Sequence, residues 1–137
     1  MSHTLILTIT PVYAALLALF YLPLSIRVIK LRLSEKVSIG DGGNSDLARA
    51  ARVHANFAEY APLALLLIAF NEALGTPALA VHALGLMLLV GRVSHFLGIR
   101  TVEAPMHYRK LGMRLTFGTL ALGAFGILAL TVLRLAG

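Results

Sequence analysis

Four apolar stretches, at roughly 5–29, 53–74, 77–99 and 111–133, limit this chain more than any other feature of its sequence. A helix needs about 20 mainly apolar residues to cross the hydrocarbon core of a bilayer, and each stretch is long enough. The spacing predicts an all-α membrane protein, a four-transmembrane-helix up-down bundle. Composition agrees: 13% of the residues are charged, against roughly 25% in soluble domains. The four spans nearly fill the 137 residues, so the expectation is a single domain over 1–137. The flank "MSHT" carries no lysine or arginine, and the positive charges follow the first apolar run, so that run reads as an uncleaved helix rather than a signal peptide.

Charge placement predicts orientation. The net charge is +6, which in a soluble protein would suggest nucleic acid. Here Arg27, Lys30, Arg32, Lys36, Arg49 and Arg52 flank the first connection, and Arg92, Arg100, Arg109, Lys110 and Arg114 flank the third. The second connection, "NEALGTP", has no cation. The positive-inside rule then places the first and third connections in the cytoplasm and both termini on the other side. Reporter fusions at Gly42 and Gly75 should therefore give opposite signals, and a cytoplasmic signal at Gly75 would overturn this topology.

Loop chemistry is clear in "SIGDGGNSDLARAARV": Gly40, Gly42 and Gly43 allow positive φ, and Asn44, Ser45 or Asp46 can cap a helix that begins near Asp46. Asn71 to Thr76 with Pro77 read as a tight turn, with Pro77 opening the third helix. "TVEAPMHY" makes the third connection. Gly118, Gly123, Ala124 and Gly126 give the fourth helix a small-residue stripe suited to close approach of a neighbouring helix.

The stretch "RVHANFAEYAP" at residues 52–62 sets Arg52, Asn56 and Glu59 four and three residues apart, on one helix face and within roughly 40° of Arg52. Polar side chains at such a position are costly in lipid and are kept for a reason. Two readings stay open: an ion pair that locks packing or oligomer register, or a stripe aimed at a ligand. His54 points to another face and is set aside. In "GRVSHFLGI", Arg92 and His95 lie one turn apart. Arg92 either snorkels to the headgroups or joins a ligand pocket, and His95 either sits at the interface bonded to a carbonyl or joins that pocket. His82 has no obvious partner. No cysteine is present, so a reacting thiol must come from a ligand. HExxH, CxxC, phosphate-loop and dinucleotide patterns are all missing from the sequence. The cations, one carboxylate and one amide suit a zwitterionic anion such as a tripeptide with two carboxylates and one amine.

These residues carry a resemblance. "R-x-x-x-N-x-x-E-Y-x-P" opening a second transmembrane helix, followed by "G-R-x-x-H" late in the third, resembles the MAPEG family, the membrane-associated proteins in eicosanoid and glutathione metabolism. "KLRLSEKVSIGDGG" is similar to its small bacterial members. The resemblance implies a homotrimer in a bacterial inner membrane that holds glutathione, as co-substrate, between adjacent subunits near the cytosol. It implies that Arg52, Asn56, Glu59 and Tyr60 bind glutathione, that Arg92 and His95 complete the pocket, and that Lys30 or Arg32 meets a glutathione carboxylate. It also implies that Arg109 or Lys110 stabilises the thiolate. One turn beyond His95, where many active relatives carry tyrosine, this chain has Ile99. The expected activity is glutathione transfer to lipophilic electrophiles, peroxide reduction, or both, in detoxification. The alternatives are a lipid-binding scaffold without glutathione chemistry and a small multidrug transporter using Glu59 as its proton carrier.

Overall fold

A computed structural model describes residues 6–137. Four helices follow in order: α1 (Thr10–Glu35), α2 (Ser45–Ala73), α3 (Ala78–Leu97) and α4 (Met106–Ala136). Each is long and apolar enough to cross a bilayer. The chain is an all-α four-helix membrane bundle.

The helices outrun the apolar windows at the basic end. α1 continues through Arg27, Lys30 and Arg32, and α4 starts at Met106, so Arg109, Lys110 and Arg114 lie in its first turns. A hydropathy window stops where charge begins, whereas the backbone ladder stops only where a cap or a turn ends it. The first ending is a left-handed residue, Lys36 at φ 55°, whose position in the sequence gave no warning. Asn44 caps α2 as expected, its Oδ1 accepting from the amides of Asp46 at 3.0 Å and Leu47 at 2.9 Å. Gly42, at φ +58°, is required twice over, because a Cβ there would meet Val37 Cγ2 at 2.6 Å.

The sequence placed the start of the first span near residue 5, outside the described residues; α1 starts at Thr10, with Pro11 in its first turn. Its leading amides are met by a side chain from another helix. Glu72, at the end of α2, accepts from Thr8 N (2.6 Å) and Ile9 N (2.7 Å) on Oε1, and from Thr10 N (2.7 Å) on Oε2. A carboxylate suits this place because the amides and the helix dipole both favour negative charge. Arg134, near the end of α4, donates to the Leu74 carbonyl at 2.7 Å. The start of α1 and the last turn of α4 are thus tied to the second connection, while Arg49 reaches the Ile99 carbonyl at the opposite end.

Two expectations at the second connection need correction. Asn71 belongs to α2 rather than to the turn; it is buried, and its Nδ2 donates to the carbonyls of Leu67 and of Gly123 in α4, both at 2.8 Å. An amide at membrane depth must be satisfied internally, and this one bridges two helices. Pro77 is the cap of α3, and Ala78 is its first residue. His82 does have a partner: its Nδ1 shares a 3.0 Å hydrogen bond with the Tyr13 hydroxyl, and the Tyr13 ring lies against Gly85.

Leu17, Leu24, Phe57, Ala64, Ile68 and Leu88 lie in the core. α1 seats on α2 through aromatic contacts, with Tyr21 stacked on His54 (4.7 Å between centroids) and on Phe57 (5.0 Å). His54 thus belongs to helix packing. α3 and α4 approach backbone to backbone: a Cβ on Gly112 would strike His95 N and the Gly91 carbonyl, and one on Gly98 would strike the Arg109 backbone. The stripe of Gly118, Gly123 and Gly126 does meet neighbouring helices, namely Met87, Leu67 and Asn71. Leu19, Phe125, Leu128 and Leu133 are among the large apolar side chains left exposed. Water would not tolerate so many, and a bilayer asks for them.

Candidate functional site

α2 carries its motif on two sides. Arg52 and Glu59 lie on the outer surface, paired at 3.2 Å between Nη1 and Oε1 and at 3.5 Å between Nη2 and Oε2, with side chains 55% and 47% exposed. Seven residues are two turns, so these long side chains meet along the helix. Asn56 lies 60° around from Glu59 by helical geometry, and it is buried.

Behind α2 lies Arg92 of α3, only 2% exposed. Its Nη1 donates to Asn56 Oδ1 at 2.8 Å and to the Asn56 carbonyl at 3.3 Å. Its Nη2 donates to Thr116 Oγ1 at 2.5 Å and approaches Met113 Sδ at 3.8 Å. Thr116 passes the bond on, donating to the Gly112 carbonyl at 2.8 Å. The Tyr60 ring centroid lies 5.8 Å from the guanidinium carbon, within cation–π range. Arg92 therefore does not snorkel. It ties α2, α3 and α4 together at one level and fixes Asn56 and Tyr60. All of its partners are neutral, and its buried Nε has none among the described residues. A buried cation without a carboxylate is expensive to keep in a membrane.

His95 is buried one turn beyond Arg92, and the carbonyl partner expected of an interfacial histidine is not found among the described residues. The His95 backbone packs against Gly112 of α4. Arg109 and Lys110 themselves are exposed on the first turns of α4. Ile99, which stands where many active relatives carry tyrosine, is buried in the core.

In front of α2, Arg32 and Arg52 border a depression of about 330 Å³ with Gly40, Asp41, Ala48 and Ala55. Arg32 is held there by three carbonyls of the first connection: Nη1 donates to Gly40 at 2.9 Å, Ser38 at 3.3 Å and Val37 at 3.5 Å. Lys30, two residues earlier and so on the other side of α1, lies with Pro23, Ile26, Arg27 and Leu31 instead. The bundle therefore brings Arg32, Arg52 and Glu59 together outside and Asn56, Tyr60, Arg92 and His95 inside, and leaves Lys30 apart.

Thr116 and Met113 were missed by sequence reasoning. The faint signal was a threonine four residues after Gly112, where a hydroxyl can bond its own helix and still accept from a neighbour.

The MAPEG family model matches residues 10–129. The chain is 38% identical over 114 residues to the inner membrane protein YecN of Escherichia coli K12, which covers 83% of this chain and 86% of that relative. YecN of the O6:H1 strain CFT073 matches to the same extent.

Proposed function

Because this chain belongs to the MAPEG family, we propose that it is a glutathione-dependent membrane enzyme that joins glutathione to lipophilic electrophiles or uses it to reduce lipophilic peroxides. The observation that carries this reading is the outward Arg52–Glu59 pair on a membrane-spanning helix. Left against lipid, such a pair would be costly; covered by a charged ligand and a neighbouring subunit, it becomes a recognition surface. Arg32 and Arg52 suit the two carboxylates of glutathione, and Glu59 suits its ammonium. Arg92 positions Asn56 and Tyr60 from behind.

The same pair supports a homotrimer with the ligand between subunits. Lys30 is too far around α1 to join Arg52 within one subunit and would meet it across a subunit boundary. The description of both relatives as inner membrane proteins supports placement in a bacterial inner membrane. Glu59 held by Arg52 at 3.2 Å is poorly suited to exchange a proton for a cationic drug, which weighs against a transporter.

The chemistry asks little of the protein beyond the thiolate. Glutathione thiol is mostly protonated at neutral pH, and a nearby cation favours its ionised, nucleophilic form. Arg109, whose backbone lies against Gly98 three residues beyond His95, or Lys110 supplies that field. The thiolate then attacks an electrophilic carbon held in the adjoining lipid, forming the S–C bond as the leaving group departs with its electron pair. Proximity to a bilayer that concentrates the electrophile supplies the remaining rate.

Calorimetric titration of the detergent-purified trimer tests the reading. Saturable binding is expected for both glutathione and an S-alkyl analogue, with thiolate absorbance in the ultraviolet for glutathione alone. The Arg109→Ala, Lys110→Ala double variant should lose that absorbance and about a hundredfold in turnover, the scale of one lost charge-stabilising donor, while still binding the S-alkyl analogue. A folded protein that takes up neither ligand ends the glutathione reading. Absorbance that survives in the double variant moves the activating role to Arg92 or His95.

A further inference from the structure

A cleft of about 410 Å³ opens between α3 and α4, at the opposite end of the bundle from the arginine cluster. Its origin is the uneven approach of the two helices. They touch backbone to backbone around Gly91, Gly98 and Gly112, whereas toward the second connection their side chains hold them apart. Pro77, Ala83, Met87, Leu122, Gly126 and Leu130 border the gap. From residue 77 to residue 87 the cleft follows α3 for about 15 Å at 1.5 Å per residue. That is half of the ~30 Å hydrocarbon core, the depth of one leaflet.

The cleft offers little to a polar ligand. Its one buried amide, Asn71, is committed to the Leu67 and Gly123 carbonyls and to the Thr76 hydroxyl. Ala83 and Leu122 are exposed, so the cleft opens sideways toward lipid.

The mouth is different. Arg134 follows Leu130 by one turn on the same face of α4, and its bond to the Leu74 carbonyl sets the guanidinium beside the turn that leads to Thr76 and Pro77 at the cleft's end. It is the one lysine or arginine at this end of the bundle. Capping α2 occupies one N–H of Nη2; Nε and Nη1 have no partner among the described residues, so one of the two bidentate edges, Nε with Nη2 or Nη1 with Nη2, stays open to a phosphate.

We propose that the α3–α4 cleft and Arg134 form a phospholipid site, with one acyl chain in the cleft and the phosphodiester on the Arg134 guanidinium. An acyl chain matches the cleft in chemistry and in depth, and it enters from the leaflet where the cation stands. The site is separate from the arginine cluster of α2 and does not depend on its ligand.

Native mass spectrometry of the protein extracted in mild detergent and supplied with phosphatidylglycerol tests this. One retained lipid per subunit is expected. Arg134→Gln keeps a donor for the Leu74 carbonyl but removes the charge, and it should cut retention about fivefold. Ala83→Phe, which fills the cleft and leaves Arg134 alone, should cut it at least as much, while Leu19→Phe on the exposed face of α1 should leave it unchanged. Equal retention in all four proteins would overturn the site. Loss with Ala83→Phe but not with Arg134→Gln would assign the cleft to an uncharged chain instead, and a change in oligomer mass with Ala83→Phe would assign it to a second copy. Either result removes the phospholipid.

Discussion

Arg52→Ala and Glu59→Ala will each weaken glutathione binding by about thirtyfold or more, with little change in thermal stability. The two effects separate because the pair is exposed on the single chain. There it contributes no more than about 1 kcal/mol to folding. In the proposed trimer a charged ligand and a neighbouring subunit cover it, and truncating one partner then strands the other, at a cost of about 2–5 kcal/mol. His54→Ala should show the reverse. It removes the stack on Tyr21, worth about 0.5–1.5 kcal/mol beyond its area, and leaves the ligand face intact. Calorimetric titration and thermal melts on the three variants read both quantities. Retained affinity in Arg52→Ala and Glu59→Ala, with only the oligomer lost, would reduce the pair to a packing device.

Gly112→Ala will damage the bundle more than an added methyl group suggests. Its Cβ would meet the backbone of His95 and the carbonyl of Gly91, which cannot turn aside as a side chain can. Relief requires α4 to move from α3, and Thr116, one turn along, would then leave Arg92. Overpacking of this kind costs about 1–3 kcal/mol, occasionally more, and here it also exposes a buried cation. Gly118→Ala is the matched control. Its Cβ meets only Met87 Cε, at 3.0 Å, the far end of a flexible chain. A lower melting temperature and reduced glutathione binding are expected for Gly112→Ala alone, and identical melts for the two variants would refute the account.

What could be read from the sequence follows the range of each interaction. The spans, the Asn44 cap and the Arg52–Glu59 pairing involve residues within two turns of each other, and local geometry reveals them. Arg92 and Asn56 are 36 residues apart, so their partnership exists only after α2 and α3 have packed. Periodicity put Asn56 on a common stripe with Glu59, but a face some 60° wide can straddle a helix–helix seam, and this one does. Thr116 gave almost no signal, because a lone threonine in an apolar helix has the same appearance whether it bonds its own backbone or a buried guanidinium. Gly112 and Gly91 were overlooked for the same reason: the partners of a glycine are visible only in three dimensions. The fold and the family resemblance were thus legible early, whereas the division of the motif into an outer pair and an inner anchor was not.

The Glu72 clasp has a consequence for biogenesis. The amides of Thr8, Ile9 and Thr10 wait on a carboxylate that is made more than sixty residues later. During synthesis α1 enters the membrane with its leading turn held only by water and headgroups, and the wait ends when α2 crosses and delivers Glu72 to the side where the chain began. The hairpin of α1 and α2 is then closed at both ends, by the peptide chain at one and by a carboxylate at the other. It leaves the insertion machinery as a finished unit against which α3 and α4 can dock.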